Sequence, residues 1–254
     1  MKLKWHGTAC ISLESEKAAI IFDPYIPRKG SETPSSEEEY LRFENILVTH
    51  GHFDHISTIP ETVAKSGATV WCTKAPFESL VYKGVSPENL KIIFPGSVLN
   101  FGDMKVTVFE SRHVKFDAKL IFSTAFSLRP FKYFSNLVEL ISENSICKEA
   151  NETVGFLIEA EGKRIYLMAS MNWVDGVEYP KDVDLLILPF QGASDLVTPG
   201  LKFIEMTHPK AVLLDHFDDT FPPMSNHIDT SGMVAALEGK LPLTIPVYGE
   251  TYEI

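Results

Sequence analysis

The chain has 254 residues, 44% hydrophobic and 22% charged, with a net charge of −11. That length suits one large core or two small domains, and the acidic balance with scattered lysines and arginines argues against nucleic acid and anionic membrane surfaces as partners. The opening MKLKWHGTACISLE lacks the apolar core of a signal peptide, no run approaches the ~18 apolar residues of a membrane span, and Cys10, Cys72 and Cys147 form no CxxC pair, so a reduced, cytoplasmic setting is expected.

Short β-rich runs alternate with turn signals. Ala18–Phe22 runs into Asp23-Pro24, Ile46–Thr49 runs into a histidine cluster, and Ala68–Cys72, Lys91–Phe94 and Lys105–Phe109 follow. Between them, Pro60–Ser66 reads as a helix opened by proline and closed by Gly67; Pro76–Tyr82 is a second, with Gly84 just beyond. The polar stretch Ser31–Glu39 reads as a loop. The segment 116–151 breaks the rhythm: it is rich in phenylalanine and helical across Asn136–Ser142. We read it as a capping insertion within one domain spanning 1–254, the alternative being a peripheral hairpin or helix pair. Strands resume at Val154–Glu159, Arg164–Met168, Asp184–Leu188, Ala211–Leu214 and Ile245–Tyr248. Helices are expected at Pro199–Thr207, with Thr198 as N-cap, and at Thr230–Leu237. Several apolar runs do not alternate, which implies strands buried on both faces. The pattern is a mixed α/β chain with helices outside its sheets.

The stretch His50-Gly51-His52-Phe53-Asp54-His55 concentrates three of the eight histidines in six positions. In extended chain, residues two apart point the same way, so His50 and His52 can face one ion, while Gly51 lets backbone come close. Asp54 and His55 diverge unless the chain turns there. Imidazole with carboxylate suits zinc best; manganese, iron and nickel are alternatives. The bland alternative is a loop of surface histidines.

His-x-His-x-Asp-His after a buried strand resembles the metallo-β-lactamase superfamily of metal-dependent hydrolases. The opening WHGTACISLE…AIIFDPYI, with its His6-Gly7-Thr8-Ala9 turn and Asp23-Pro24, is similar to the ascorbate-6-phosphate-lactonase-like and phospholipase-D-like branch. The resemblance implies a four-layer αββα sandwich with a capping insertion. It implies two further ligands: His113, in KVTVFESRHVKF, and His216, in KAVLLDHFDDTFPP. His6, near the opening turn, and His227, after the TFPP turn, are candidates to line the substrate site; His208, at a helix end, reads as structural.

One family feature is missing. The resemblance implies a bridging aspartate after the strand Arg164–Met168, but Ala169-Ser170-Met171 stands there, with Ser170 in the bridging position. Two dications ~3.5–4 Å apart repel by on the order of 15–25 kcal/mol at an effective dielectric near 20. Without the bridge, a second ion should bind weakly or not at all. In the preferred arrangement His50, His52 and His113 hold one ion, and Asp54, His55 and His216 form a weaker second site. Alternatively another acid substitutes, Asp218 first, with Asp175 and Glu178 behind it. The expected activity is metal-assisted hydrolysis of an ester, lactone or phosphoester small molecule, with Asp54 as the catalytic base. The competing reading is a catalytically degenerate metal-binding or regulatory protein. Arg112, Lys115, Arg129 and Lys132 lie near the insertion and are candidates to attract an anionic group.

Overall fold

The computed structural model describes residues 1–34, 37–114 and 128–254. Its strands form two seven-stranded sheets. The first takes β1 (Lys2–Trp5), β2 (Ile11–Glu14), β3 (Ala19–Phe22), β4 (Asn45–Leu47), β5 (Thr69–Cys72) and β6 (Leu90–Ile92) in chain order. The C-terminal strand β14 (Thr251–Glu253) adds antiparallel to β1. The second sheet holds β7 (Val98–Phe101), β8 (Met104–Glu110), β9 (Val154–Ala160), β10 (Lys163–Leu167), β11 (Leu185–Pro189), β12 (Val212–Asp215) and β13 (Leu243–Thr244). Both sheets follow one plan. A hairpin-built antiparallel half (β1 to β3, β7 to β10) leads into a parallel half (β3 to β6, β10 to β13).

The sheets pack face to face. Leu13, Ile20 and Phe22 from the first meet Val106, Phe156 and Ile158 from the second, and the Phe22 and Phe156 rings lie 5.4 Å apart. Period-two alternation sends Ile21, Ile46 and Val70 to the opposite face. There they are covered by α3 (Ile59–Ser66) and α4 (Lys74–Tyr82) through Val63 and Leu80. Because both faces are covered, these strands lack polar alternation. On the outer side of the second sheet, α7 (Val197–Thr207) and α8 (Ser231–Leu237) contribute Phe203, Met233 and Leu237. The result is the expected αββα order of layers. No helix among the described residues is long and apolar enough to cross a membrane.

Four local expectations need correction. Ser31–Glu39 is not loop to its end, because α1 (Glu37–Tyr40) begins within it. Ile245–Tyr248 is not a strand: the chain leaves β13 at Thr244 and pairs again only at Thr251. Pro246 has no N–H to give a ladder, and Gly249 turns the chain at φ 81°. Thr198 lies inside the first turn of α7, and its N–H is accepted by Asp195 Oδ1 at 3.1 Å, so Asp195 serves the helix start. Strands β1, β2 and β7 were not anticipated, being four-residue segments with little β-branched content. Within 116–151, residues 116–127, with Phe116, Phe122 and Phe126, lie outside the described residues, as does Lys115. The described remainder forms α5 (Arg129–Lys132) and α6 (Phe134–Ile146), longer than the expected Asn136–Ser142. Asn136 and Leu140 make its inner face.

Candidate metal centre

Strand direction assembles the site. β8, β10, β11 and β12 all run the same way, as do β3 and β4, and their C-terminal ends meet at one edge of the sandwich. Open α/β sheets bind ligands at such ends. Here β3 leads to Asp23 and β4 leads through Thr49 to His50; β8 leads to His113, β10 to Ser170 and β12 to His216. After His52 the chain turns into the short helix α2 (Phe53–Ile56). That turn lets the adjacent Asp54 and His55 serve one point.

The six expected ligands converge in two triads. His50, His52 and His113 form one, and Asp54, His55 and His216 the other, with ligand atoms in each within 4.8 Å of one another. His50, Asp54, His55 and His216 are buried; His52 and His113 are partly open to a cavity of about 230 Å³ that all six line. Gly51 is needed for close approach: a Cβ there would lie 1.9 Å from the Lys148 carbonyl oxygen, on the chain just after α6.

Proton accounting shows which nitrogens face inward. The Thr49 hydroxyl donates to Asp23 Oδ2 at 2.6 Å, so its lone pairs accept from His50 Nδ1 at 3.0 Å and leave His50 Nε2 for the site. His55 Nδ1 donates to the same Asp23 oxygen at 2.8 Å, while Thr49 N–H donates to Asp23 Oδ1 at 2.8 Å. The Val114 carbonyl can only accept, so His113 Nδ1 at 2.7 Å carries the proton of the neutral ring. Outer partners that fix tautomer and ring angle are a recurrent property of metal-binding histidines. His50 Nε2 and His52 Nδ1 lie 3.1 Å apart. Two nitrogens on a tetrahedral zinc at ordinary bond lengths are about 3.3 Å apart, so the spacing of this pair matches that ion.

Burial pushes the imidazoles of the first triad down: His50 well below its ordinary value, His52 also down, and His113 to about 4. Neutral rings are the ligating form. Burial would also lower His55, but Asp23 and Asp54 outweigh it and lift that ring to about 9. Burial works against the charge on Asp54, yet His55 and His216 hold its carboxyl well below the usual range. His216 Nε2 is 3.1 Å from Asp54 Oδ2, and His216 Nδ1 is buried with no hydrogen-bond partner among the described residues.

The remaining expected residues divide. Ser170 lines the cavity; its hydroxyl accepts the Val114 N–H at 2.9 Å, so it steadies the turn that presents His113. Asp218 does not face the cavity. It accepts Thr8 N–H at 3.0 Å and the Thr33 hydroxyl at 2.6 Å, and so secures the Gly7-Thr8 turn, whose carbonyl at Thr8 accepts His216 N–H at 2.8 Å. His6 is also a correction: it is buried elsewhere, 2.9 Å from Ser12 Oγ and edge-on to Tyr40. His227 is exposed, 2.6 Å from Glu32 Oε1. Asp175 and Glu178 sit on the surface. No described acid therefore takes the place of the missing bridge. Sequence reasoning did not single out Thr49 and Asp23 as orienting groups, nor Gln191 and Asn226, which line the cavity. Asp23 and Gln191 share one signal, a polar residue just beyond a buried strand run.

Two mixed sheets between helices, with a histidine and aspartate cluster at their shared strand ends, define an αββα protein built around a metal-binding edge. A family model described as the beta-lactamase superfamily domain matches residues 19–238. The chain belongs to the metallo-β-lactamase superfamily. A UPF0173 metal-dependent hydrolase of Staphylococcus aureus (strain bovine RF122 / ET3-1) is 28% identical over 231 residues, 87% of each chain. Among solved structures, a metallo hydrolase from the hyperthermophilic archaeon Ignicoccus hospitalis KIN4/I superposes with a TM-score of 0.68 at 18% identity, over 100% of this chain and 98% of that one. An isothiocyanate hydrolase from Delia radicum gut bacteria gives 0.66 at 16%, over 100% and 99%.

Proposed function

We propose that this chain is a metal-dependent hydrolase of small molecules, with one firmly held zinc on His50, His52 and His113. The convergence of two oriented triads at the strand ends carries this reading. A bound zinc supplies a water of pKa near ~7 and polarises the bond under attack. The protein's part follows from its contacts. The Thr49–Asp23 pair fixes His50, and the Val114 carbonyl fixes His113. Asp54, its Oδ2 directed by His216, accepts the proton of the attacking water. Phe53 and Phe221 wall the cavity and limit bulk water. The described part of the insertion contributes Asn144 to the rim, which suits a cap.

The single-ion preference follows from charge. Asp54 is the only carboxylate among the six ligands, so two dications would face one fixed anion. Repulsion on the order of 15–25 kcal/mol needs more than that to offset it. The test is metal analysis with turnover. After zinc reconstitution, about one ion per chain and metal-dependent hydrolysis of ester, lactone or phosphodiester substrates are expected. A chain that retains no ion would refute the reading. One that retains the ion yet hydrolyses nothing would favour a metal-binding regulatory role.

A further inference from the structure

We propose that the outward face of α6 is the docking surface for a second copy of this chain, laid antiparallel across a two-fold axis. The helix carries apolar residues on two opposite sides. Asn136, Leu140 and, just past its end, Cys147 are buried against the body of the protein. Phe134, Val138, Ile141 and Ser145 recur at helical spacing on the other side. There Phe134 is 65%, Val138 53% and Ile141 61% exposed, and Phe131 of α5, just before them, is 83% exposed. A helix with one face on a core and the other in water carries polar side chains on the second face. Here the two acids of α6 are drawn to its flanks, Glu139 to Arg28 and Glu143 to Lys83, and none of the four stripe positions is charged.

The shape of this surface selects a second copy as its partner. At the Ser145 end lies a groove of about 370 Å³, lined by Ser79 and Tyr82 of α4 and by Ser145 and Ile146 of α6, with Glu78 and Lys148 as its charged members. The stripe thus has projecting rings at one end, Phe131 and Phe134, and a recess at the other. Ser145 lies about 16 Å from Phe134 along the helix. An antiparallel partner centred between Val138 and Ile141 sets its Phe134 beside Ser145 and its Val138 beside Ile141, so the rings of each chain enter the recess of the other. A two-fold contact demands this self-complementarity. The area suffices as well. Phe131, Phe134, Val138 and Ile141, with Tyr82 at 76% exposed, offer on the order of 600 Å² of apolar surface. That reaches the largest patch usual on a monomer and approaches the ~800 Å² that each partner of a standard interface buries. The net charge of −11 opposes self-association, and an uncharged stripe is where two copies meet without setting like charges directly against each other. Because α6 also carries Asn144 on the wall of the metal-site cavity, the contact braces that wall from outside.

The experiment is analytical ultracentrifugation of the full chain. A dimer with a dissociation constant below ~10 µM is expected. Val138→Asp should be monomeric at ~100 µM, with the circular dichroism spectrum of the wild type and unchanged metal content. Phe134→Ser, a milder change, should weaken the dimer at least ~10-fold. A cysteine at the centre of the stripe reads the geometry. The three native cysteines are buried, so a short bismaleimide should link two chains of Val138→Cys and none of Val247→Cys, at an exposed position outside the stripe. A wild-type chain that stays monomeric at ~100 µM overturns the inference, whether the Val138→Cys thiol then proves shielded by the chain's own residues or free and bound to phosphatidylcholine vesicles. A dimer that both Val138→Asp and Phe134→Ser leave intact, or that links through Val247→Cys and not Val138→Cys, overturns it too.

Discussion

Asp23→Asn is the sharpest probe of how the site is held. The Asp23 carboxylate is fully buried and receives three donors: Thr49 N–H on Oδ1, and the Thr49 hydroxyl and His55 Nδ1 on Oδ2. Asparagine keeps one accepting oxygen. If that oxygen stays with Thr49 N–H, the new NH₂ faces two donors. Hydrogen bonds to a charged group contribute about 1.5–3 kcal/mol each, so losing two gives about 3–6 kcal/mol. Thr49 can rotate its hydroxyl and His55 can switch tautomer, which recovers part, so we expect a loss of about 2–4 kcal/mol in the metal-free chain. Both adjustments disturb the proton arrangement that points His50 Nε2 inward. Zinc affinity should therefore fall about 10–100-fold, as for other outer partners of metal histidines. Urea unfolding of the metal-free chain gives the first quantity, and competition with a chromophoric chelator gives the second. A stability change below about 0.5 kcal/mol with unaltered zinc affinity would refute the reasoning.

Other expectations are more direct. His50→Ala should leave the chain folded but abolish zinc retention, whereas His227→Ala, at an exposed position paired with Glu32, should leave metal content unchanged; metal analysis of the two side by side checks this. Ser170→Asp places a second carboxylate on the cavity wall, still able to accept the Val114 N–H. Metal content should rise from about one to about two ions per chain, and unchanged stoichiometry would mean that charge is not what excludes the second ion. Gly51→Ala sets a Cβ 1.9 Å from the Lys148 carbonyl oxygen. Because backbone must move, destabilisation of about 1–3 kcal/mol or more is expected in urea unfolding, with weaker zinc binding, and wild-type behaviour would contradict the close packing of residue 148 on the metal loop.

The layer order was legible because its cause is local. Runs such as AAIIF, DLLIL and AVLL lack polar alternation, and only strands covered on both faces tolerate that. The histidine loop was legible for a related reason: its candidate ligands are neighbours in the chain, and the tendency of His50 and His52 to face one way follows from the period of extended backbone. Ile245–Tyr248 misled because its apolar side chains speak of burial, whereas Pro246 and the return to β1 decide pairing. The fates of Asp218, His6 and His227 were not legible at all. Asp218 and His6 turn to other partners, Thr33 and Ser12, and His227 faces solvent beside Glu32.

What this sequence determined by itself was a set of buried strands, the histidine and aspartate cluster at residues 50–55, and the absence of a carboxylate at position 170. What only the tertiary structure decided was which side chains share a space. It brought His113 and His216 to the cluster, seated Asp23 and Thr49 behind it, and lined the cavity with carboxamides drawn from positions 144, 191 and 226. The physical reason is strand direction: β8, β11 and β12 lie far apart in the chain, and it is their common orientation in one sheet that delivers their following residues to the same edge.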